Sequence, residues 1–120
     1  MDLKSLISRL ISTQLVENPY WVHNKLLNYK EVDDFFRYRE YADPDLLNKV
    51  AYYILTYVEN LALSGYILTQ DKQYLETMEY YIHKLRDVYH KIIHTEDSKK
   101  KYNLIENMLD LCFEVGIDPF

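Results

Sequence analysis

The stretch from Asp43 to Leu68, DPDLLNKVAYYILTYVENLALSGYIL, carries Leu47, Val50, Ile54, Val58 and Leu61 at helical spacing, and most of the residues between them are apolar too. A helix that is hydrophobic over so much of its circumference needs protein on more than one side. It is therefore expected to be the central helix of a helical domain, with the other segments packed around it. Its start is well marked. Asp43 can cap the first free N–H groups, Pro44 suits the first helical position, and Asp45 places negative charge at the positive end of the helix dipole.

A chain of 120 residues suits one core, and at that size folding hides about two thirds of the surface the unfolded chain exposes. Hydrophobic residues make up 48% of the sequence, with only two glycines and three prolines. That composition favours packed helices over strands joined by tight turns. The expectation is a single all-α domain over residues 1–120, a bundle of four to five helices with the central helix at about 44–68 and an antiparallel neighbour at about 71–94.

The flanking segments read as follows. From Asp2 to about Val16, Leu3, Leu6, Ile7, Leu10 and Ile11 form one stripe, which predicts an amphipathic helix ended by Asn18-Pro19. Tyr20 to Tyr41 is aromatic-rich and reads as helical, with a bend or break near Asn28 to Lys30 where the apolar stripe shifts. Asp71 to His94 places Leu75, Met78, Ile82, Leu85, Tyr89 and Ile92 on one face, only Thr69-Gln70-Asp71 beyond the central helix, so the two are expected to form an antiparallel hairpin. The last helix, about Asp97 to Glu114, turns Tyr102, Ile105, Met108, Leu109 and Cys112 inward. Gly65 is expected to admit a neighbouring helix closely, and Gly116 to end the last helix in a left-handed turn with Ile117 folded back over it.

Charge and cysteine content narrow the function. Nineteen acidic against 14 basic residues leave a net charge of -5, which disfavours nucleic acid as a partner. The basic run Lys99-Lys100-Lys101 follows Glu96-Asp97 at a helix start and reads as a solvated face. One cysteine, Cys112, on the predicted apolar face, fits inert packing and a reducing, cytoplasmic setting. Lys4 and Arg9 interrupt the first apolar stretch, so no secretory signal is expected. The central helix has nine uncharged residues between Lys49 and Glu59 and eleven between Glu59 and Asp71. Both runs fall short of the roughly 18–20 residues that a membrane span needs.

Three surfaces are candidates for function. On the fourth segment His83, Asp87, His90 and His94 stand at i, i+4, i+7 and i+11 and share a helix face, a donor set that can serve zinc or another transition metal if further ligands complete it. At about 100° per residue, however, that face lies about 140–200° around from Leu85, and a bundle's metal ligands normally project inward from facing helices. The same helix contains His83-Lys84-Leu85-Arg86-Asp87, which partly resembles the histidine phosphotransfer domains of phosphorelays. These are small acidic four-helix bundles in which a helix displays a phosphorylatable His followed three residues later by a Lys. His83 and Arg86 stand at those two positions, but Asp87 stands where that family has a Gly that makes room for a receiver domain. The resemblance implies phosphate carried on His83.

The third candidate is a binding surface. Opposite Ile54, the central helix presents Tyr52, Thr56, Glu59, Leu63 and Tyr66, an amphipathic mixture that either the tyrosine-rich second segment, the final helix or another molecule should cover. Asp33 and Asp34, in Glu31-Val32-Asp33-Asp34-Phe35-Phe36, can give a basic partner a negative rim while the phenylalanines pack. With two glycines no phosphate-binding loop can form, and Ser, Thr and Cys show no triad pattern. The expectation is a non-enzymatic regulatory, inhibitor or adaptor protein without a cofactor, acting on a protein partner or as a homodimer. The phosphorelay and metal-binding readings stand as alternatives.

Overall fold

Residues 26–120 are described by a computed structural model of the chain. The helix expected over Asp2 to Val16, the Asn18-Pro19 boundary, and Trp21 and Val22 lie outside the described residues. Within them are α1 (Tyr29–Tyr38), a 3-10 turn (Arg39–Tyr41), α2 (Pro44–Thr69), α3 (Lys72–Ile93) and α4 (Ser98–Glu114), with no strand. The result is an all-α bundle in which α2 packs against both α3 and α4, and α3 against α4. No described helix is long and apolar enough to cross a membrane.

Local chemistry sets the helix ends. The break expected near Asn28 is the N-cap of α1: its side chain accepts from the Glu31 N–H at 2.8 Å, and Glu31 accepts from the Asn28 N–H at 3.2 Å. This reciprocal box satisfies two of the donors that every helix start leaves open. The Asp43 and Asp71 carboxylates cap α2 and α3, and Asp97 caps α4. Between α2 and α3 the chain reverses through Gln70 in the left-handed conformation, φ 54°, its N–H donating to the Tyr66 carbonyl. Beyond α4, Gly116 adopts φ 80° and the Ile117 N–H donates to the Cys112 carbonyl at 2.9 Å. Ile117 is thereby folded into the core, as its position after the glycine predicts.

The core follows from α2. Leu47, Val50, Ala51, Tyr53, Ile54, Tyr57, Val58, Leu61 and Gly65 are all buried, so more than half of its circumference is covered. Gly65 is where α3 comes closest. A methyl group there would overlap the ring and hydroxyl of Tyr74, whose Oη donates to the Leu61 carbonyl at 2.9 Å. Tyr53 is buried as well and donates to the Pro119 carbonyl. Its ring lies 5.2 Å from that of Phe120, which in turn stacks on Phe35 at 5.7 Å. The segment after α4 thus joins α1 to α2 through aromatic contacts.

One expectation is corrected. The basic run does not form a wholly solvated face, because Lys101 is buried, at 3% exposure. Its ammonium donates to Asn48 Oδ1 at 2.8 Å and to the Ile92 carbonyl at 2.7 Å. A carbonyl in the last turn of a helix has no helical N–H partner and sits at the negative end of the dipole, so a cation is well matched there. Burial holds the amine below its ordinary range, while the charges of Asp45 and Glu96 oppose that shift. Lys101 joins three helices where periodicity alone places it outside.

Candidate functional site

The outer sides of α2 and α3 meet along a groove of about 630 Å³, lined from α2 by Glu59, Ala62 and Leu63 and from α3 by Leu75, Glu76, Glu79, Tyr80, Ile82, His83 and Arg86. Its floor is apolar, made of the buried Ala62 and Ile82 and the half-buried Leu75. At the lip stand large apolar side chains in water. Leu63 is 57% exposed and Tyr80 56%, and Ile67, one turn beyond Leu63, is 63% exposed. Isolated exposed apolar residues are ordinary; side chains clustered along one groove mark an interaction surface.

The charges along the groove are sorted by position. Glu76 and Glu79 lie toward the start of α3, and neither forms an ion pair with a described residue. His83 and Arg86 follow toward its end. Arg86 reaches back across the groove to Glu59 Oε2 at 2.6 Å, which ties the two helices together at that end. Tyr80 is held from its other side by the Lys84 ammonium, 4.5 Å from the ring centre, and by the edge of Tyr81.

The residues expected to bind a partner are divided between two places. Glu59 and Leu63 line the groove. Tyr52 lies farther down α2, about half exposed, with its ring 6.1 Å from that of Tyr89 on α3, and Tyr66 is half-buried against the core. Neither the described part of the second segment nor α4 lines this face; α3 borders it. Asp33 and Asp34 are on α1 and do not line the groove, and Asp33 is paired with Arg37 of the same helix at 3.1 Å. The contribution of Glu31 is structural: the Lys49 ammonium at 2.8 Å holds its carboxyl below the usual range and fastens α1 to α2.

The histidine stripe points to water. His83 and Asp87 approach to 3.8 Å with both side chains mostly exposed, His90 lies against the Tyr89 ring, and His94 is the C-cap of α3. Among the described residues no three His, Cys, Asp or Glu side chains gather closely enough to hold a metal ion. The metal reading of His83, Asp87, His90 and His94 therefore has no geometry behind it. His83 is accessible, as the phosphorelay reading requires, but Arg86 is turned toward Glu59 and Asp87 stands beside the imidazole. Cys112 is buried, and burial pushes its thiol up to about 12, which suits packing rather than nucleophilic use.

Sequence reasoning missed Leu75, Tyr80 and Arg86 as parts of one groove, and the exposed Ile67 one turn beyond Leu63. Ile67 was legible as the residue one turn after Leu63, and Tyr80 as an aromatic between Glu76 and His83 on the outer face of α3. The meeting of Leu63 and Tyr80 across the groove depends on how the hairpin packs. No family model, curated protein or solved structure matches the chain.

Proposed function

We propose that this protein works without catalysis, by binding protein chains through the outer groove of α2 and α3, as a small regulatory, inhibitor or adaptor protein of the cell interior. The observation that carries this reading is the exposure of Leu63 and Tyr80 around an apolar floor, with Ile67 exposed one turn beyond Leu63 on α2. Covering such side chains removes apolar surface from water at about 25 cal/mol per Å², and clustered aliphatic and aromatic residues are natural anchors for a partner. The charged side chains of the groove stand at an open surface, without the dry cleft that encloses reacting groups. A lone buried cysteine is compatible with a reducing compartment.

The test is site-specific photocrosslinking in cells, with a photoreactive phenylalanine at Ile67 and, as control, at Lys99, an exposed residue of α4 remote in sequence from the groove. The expected outcome is discrete protein adducts from position 67 that disappear when Leu63 is replaced by Asp. Equal or absent crosslinking at both positions overturns the proposal.

A further inference from the structure

The charge order along α3 indicates what covers the groove. Reading from the start of the helix, the groove-facing residues are Glu76, Glu79, Tyr80, His83 and Arg86. Glu76 and Glu79 stand at one end, and His83 and Arg86, the latter paired with Glu59 of α2, stand at the other. A uniformly acidic helix laid in this groove would meet Glu76 and Glu79, a like-charge contact that disfavours it, and a uniformly basic one would meet the Arg86 guanidinium beside its Glu59 partner. A second copy of the same helix, running antiparallel, meets neither obstacle. If the two-fold axis passes near residue 81, Glu76 of each copy lies opposite Arg86 of the other, and Glu79 lies opposite His83.

Both pairings have the same midpoint, so one register satisfies the two together. An isologous interface must be self-complementary in this way, because each patch meets its own copy. Arg86 already gives one amino group to Glu59, but a guanidinium has five N–H donors and can hold a second carboxylate. Glu76 and Glu79 have no ion-pair partner among the described residues. Within its own chain His83 faces Asp87 at 3.8 Å, and its imidazole N–H can donate to a carboxylate across the interface. Tyr80 falls beside the axis, where two copies of its ring come together, and Leu63 at the lip is covered by the approach. With the axis near residue 81, residues 72–90 of the two copies of α3 overlap, a contact line about 28 Å long at 1.5 Å per residue.

We infer that the chain forms an antiparallel homodimer through the α3 side of this groove, with Glu76 and Glu79 of one protomer set against Arg86 and His83 of the other. The inference rests on the reading of the groove as a protein-binding surface and names its occupant.

Sedimentation velocity over a concentration series tests it. The wild-type chain is expected to dimerise. The variants Glu76→Arg/Glu79→Arg and His83→Glu/Arg86→Glu are each expected to weaken self-association by about tenfold or more, because each sets like charges against like. Their thermal melts, followed by circular dichroism, show whether each variant is folded. The decisive arm mixes the two variants. A heterodimer with near wild-type affinity is expected, since complementary charges again face each other. The variant with all four substitutions should recover self-association. A strictly monomeric wild type, folded variants that dimerise unchanged, or a mixture that stays monomeric overturns the inference.

The failures are distinguishable. A monomeric wild type that still gives adducts at Ile67 shows a different occupant and leaves the binding reading standing. A monomer without adducts removes both.

Discussion

The two sides of α2 are built from similar residues and meet opposite fates. On one side Val50, Ile54, Val58 and Leu61 are buried to within 1% of complete exclusion from water. On the other, Tyr52, Leu63 and Ile67 are each about half exposed or more. The outer side also carries Thr56 and Glu59, but its aliphatic and aromatic residues are of the same kind as those of the core. Among the described residues, α3 and α4 both pack against α2, and α3 is the helix that lines the groove beside Leu63. A single helix thus carries the core and, on our reading, the docking surface. The stability of the first side allows the second to remain unsatisfied.

Four measurements test this contrast. The largest effect is expected from Ile54→Asp, which buries an unpaired carboxylate at a fully enclosed position. A cost of several kcal/mol approaches the whole stability of a domain this size, so the cooperative melting transition should vanish. A wild-type melt would show that this side of α2 is not the core.

Next is Gly65→Ala, which tests the closest approach of α2 and α3. The added methyl collides with Tyr74, and the expected loss is about 1–3 kcal/mol in urea unfolding. In a Tyr74→Leu background the same substitution should cost less. Equal costs in both backgrounds would mean that Tyr74 is not what the glycine accommodates.

A smaller, pH-dependent effect belongs to the buried side as well. Burial raises the Tyr74 hydroxyl from 10.0 to about 12 and the Cys112 thiol from 9.0 to about 12, and it raises Tyr53 and Tyr57 in the same direction. Groups raised on folding contribute stability that is complete below their unfolded values and lost as the pH climbs through the folded ones. Lys101 is lowered and works against this trend, its burial penalty easing as the pH approaches 10.5. Tyr81, Lys84 and Tyr102 are raised as well, so the raised groups outweigh Lys101 and the urea midpoint should fall between pH 9 and pH 11. A flat profile would show that these groups titrate as they do in the unfolded chain.

The smallest stability effect is expected on the outer side. Leu63→Ser with Ile67→Ser should move unfolding by no more than about 0.5 kcal/mol, since both side chains are more than half exposed, yet it should abolish photocrosslinking from Tyr80. A large destabilisation would make this side part of the core instead of a docking surface.

Much of the fold was legible in the chain because local chemistry specifies it. Asp43-Pro44, Asp71 and Asp97 mark helix starts, Gly116 marks a stop, and the spacing of Met78, Ile82 and Leu85 orients α3, all through interactions spanning a few residues. Lys101 was misplaced because a lysine at a helix start ordinarily stays in water. The neighbouring Asn48 side chain and Ile92 carbonyl, 53 and 9 residues away, make its burial tolerable together with the charges of Asp45 and Glu96. Gln70 was not anticipated either, because a left-handed cap usually asks for glycine. The candidate site was half legible. Glu59 and Leu63 follow from the helical wheel of α2, but the partners that complete the groove are on another helix.

By itself the sequence determined that α2 is apolar on more than one side, where the helices begin and end, and which stripe of each turns inward. These are properties of spacing and of the backbone's need for hydrogen-bond partners. Tertiary structure alone decided which flank of α2 is covered, that Glu76, Glu79, His83 and Arg86 line one groove beside Leu63, and that Lys101 is enclosed. Helical periodicity orients a residue about its own axis. Which neighbour it meets depends on the angle and depth at which two helices pack, and those are set by side chains as far apart in the chain as Leu61 and Tyr74.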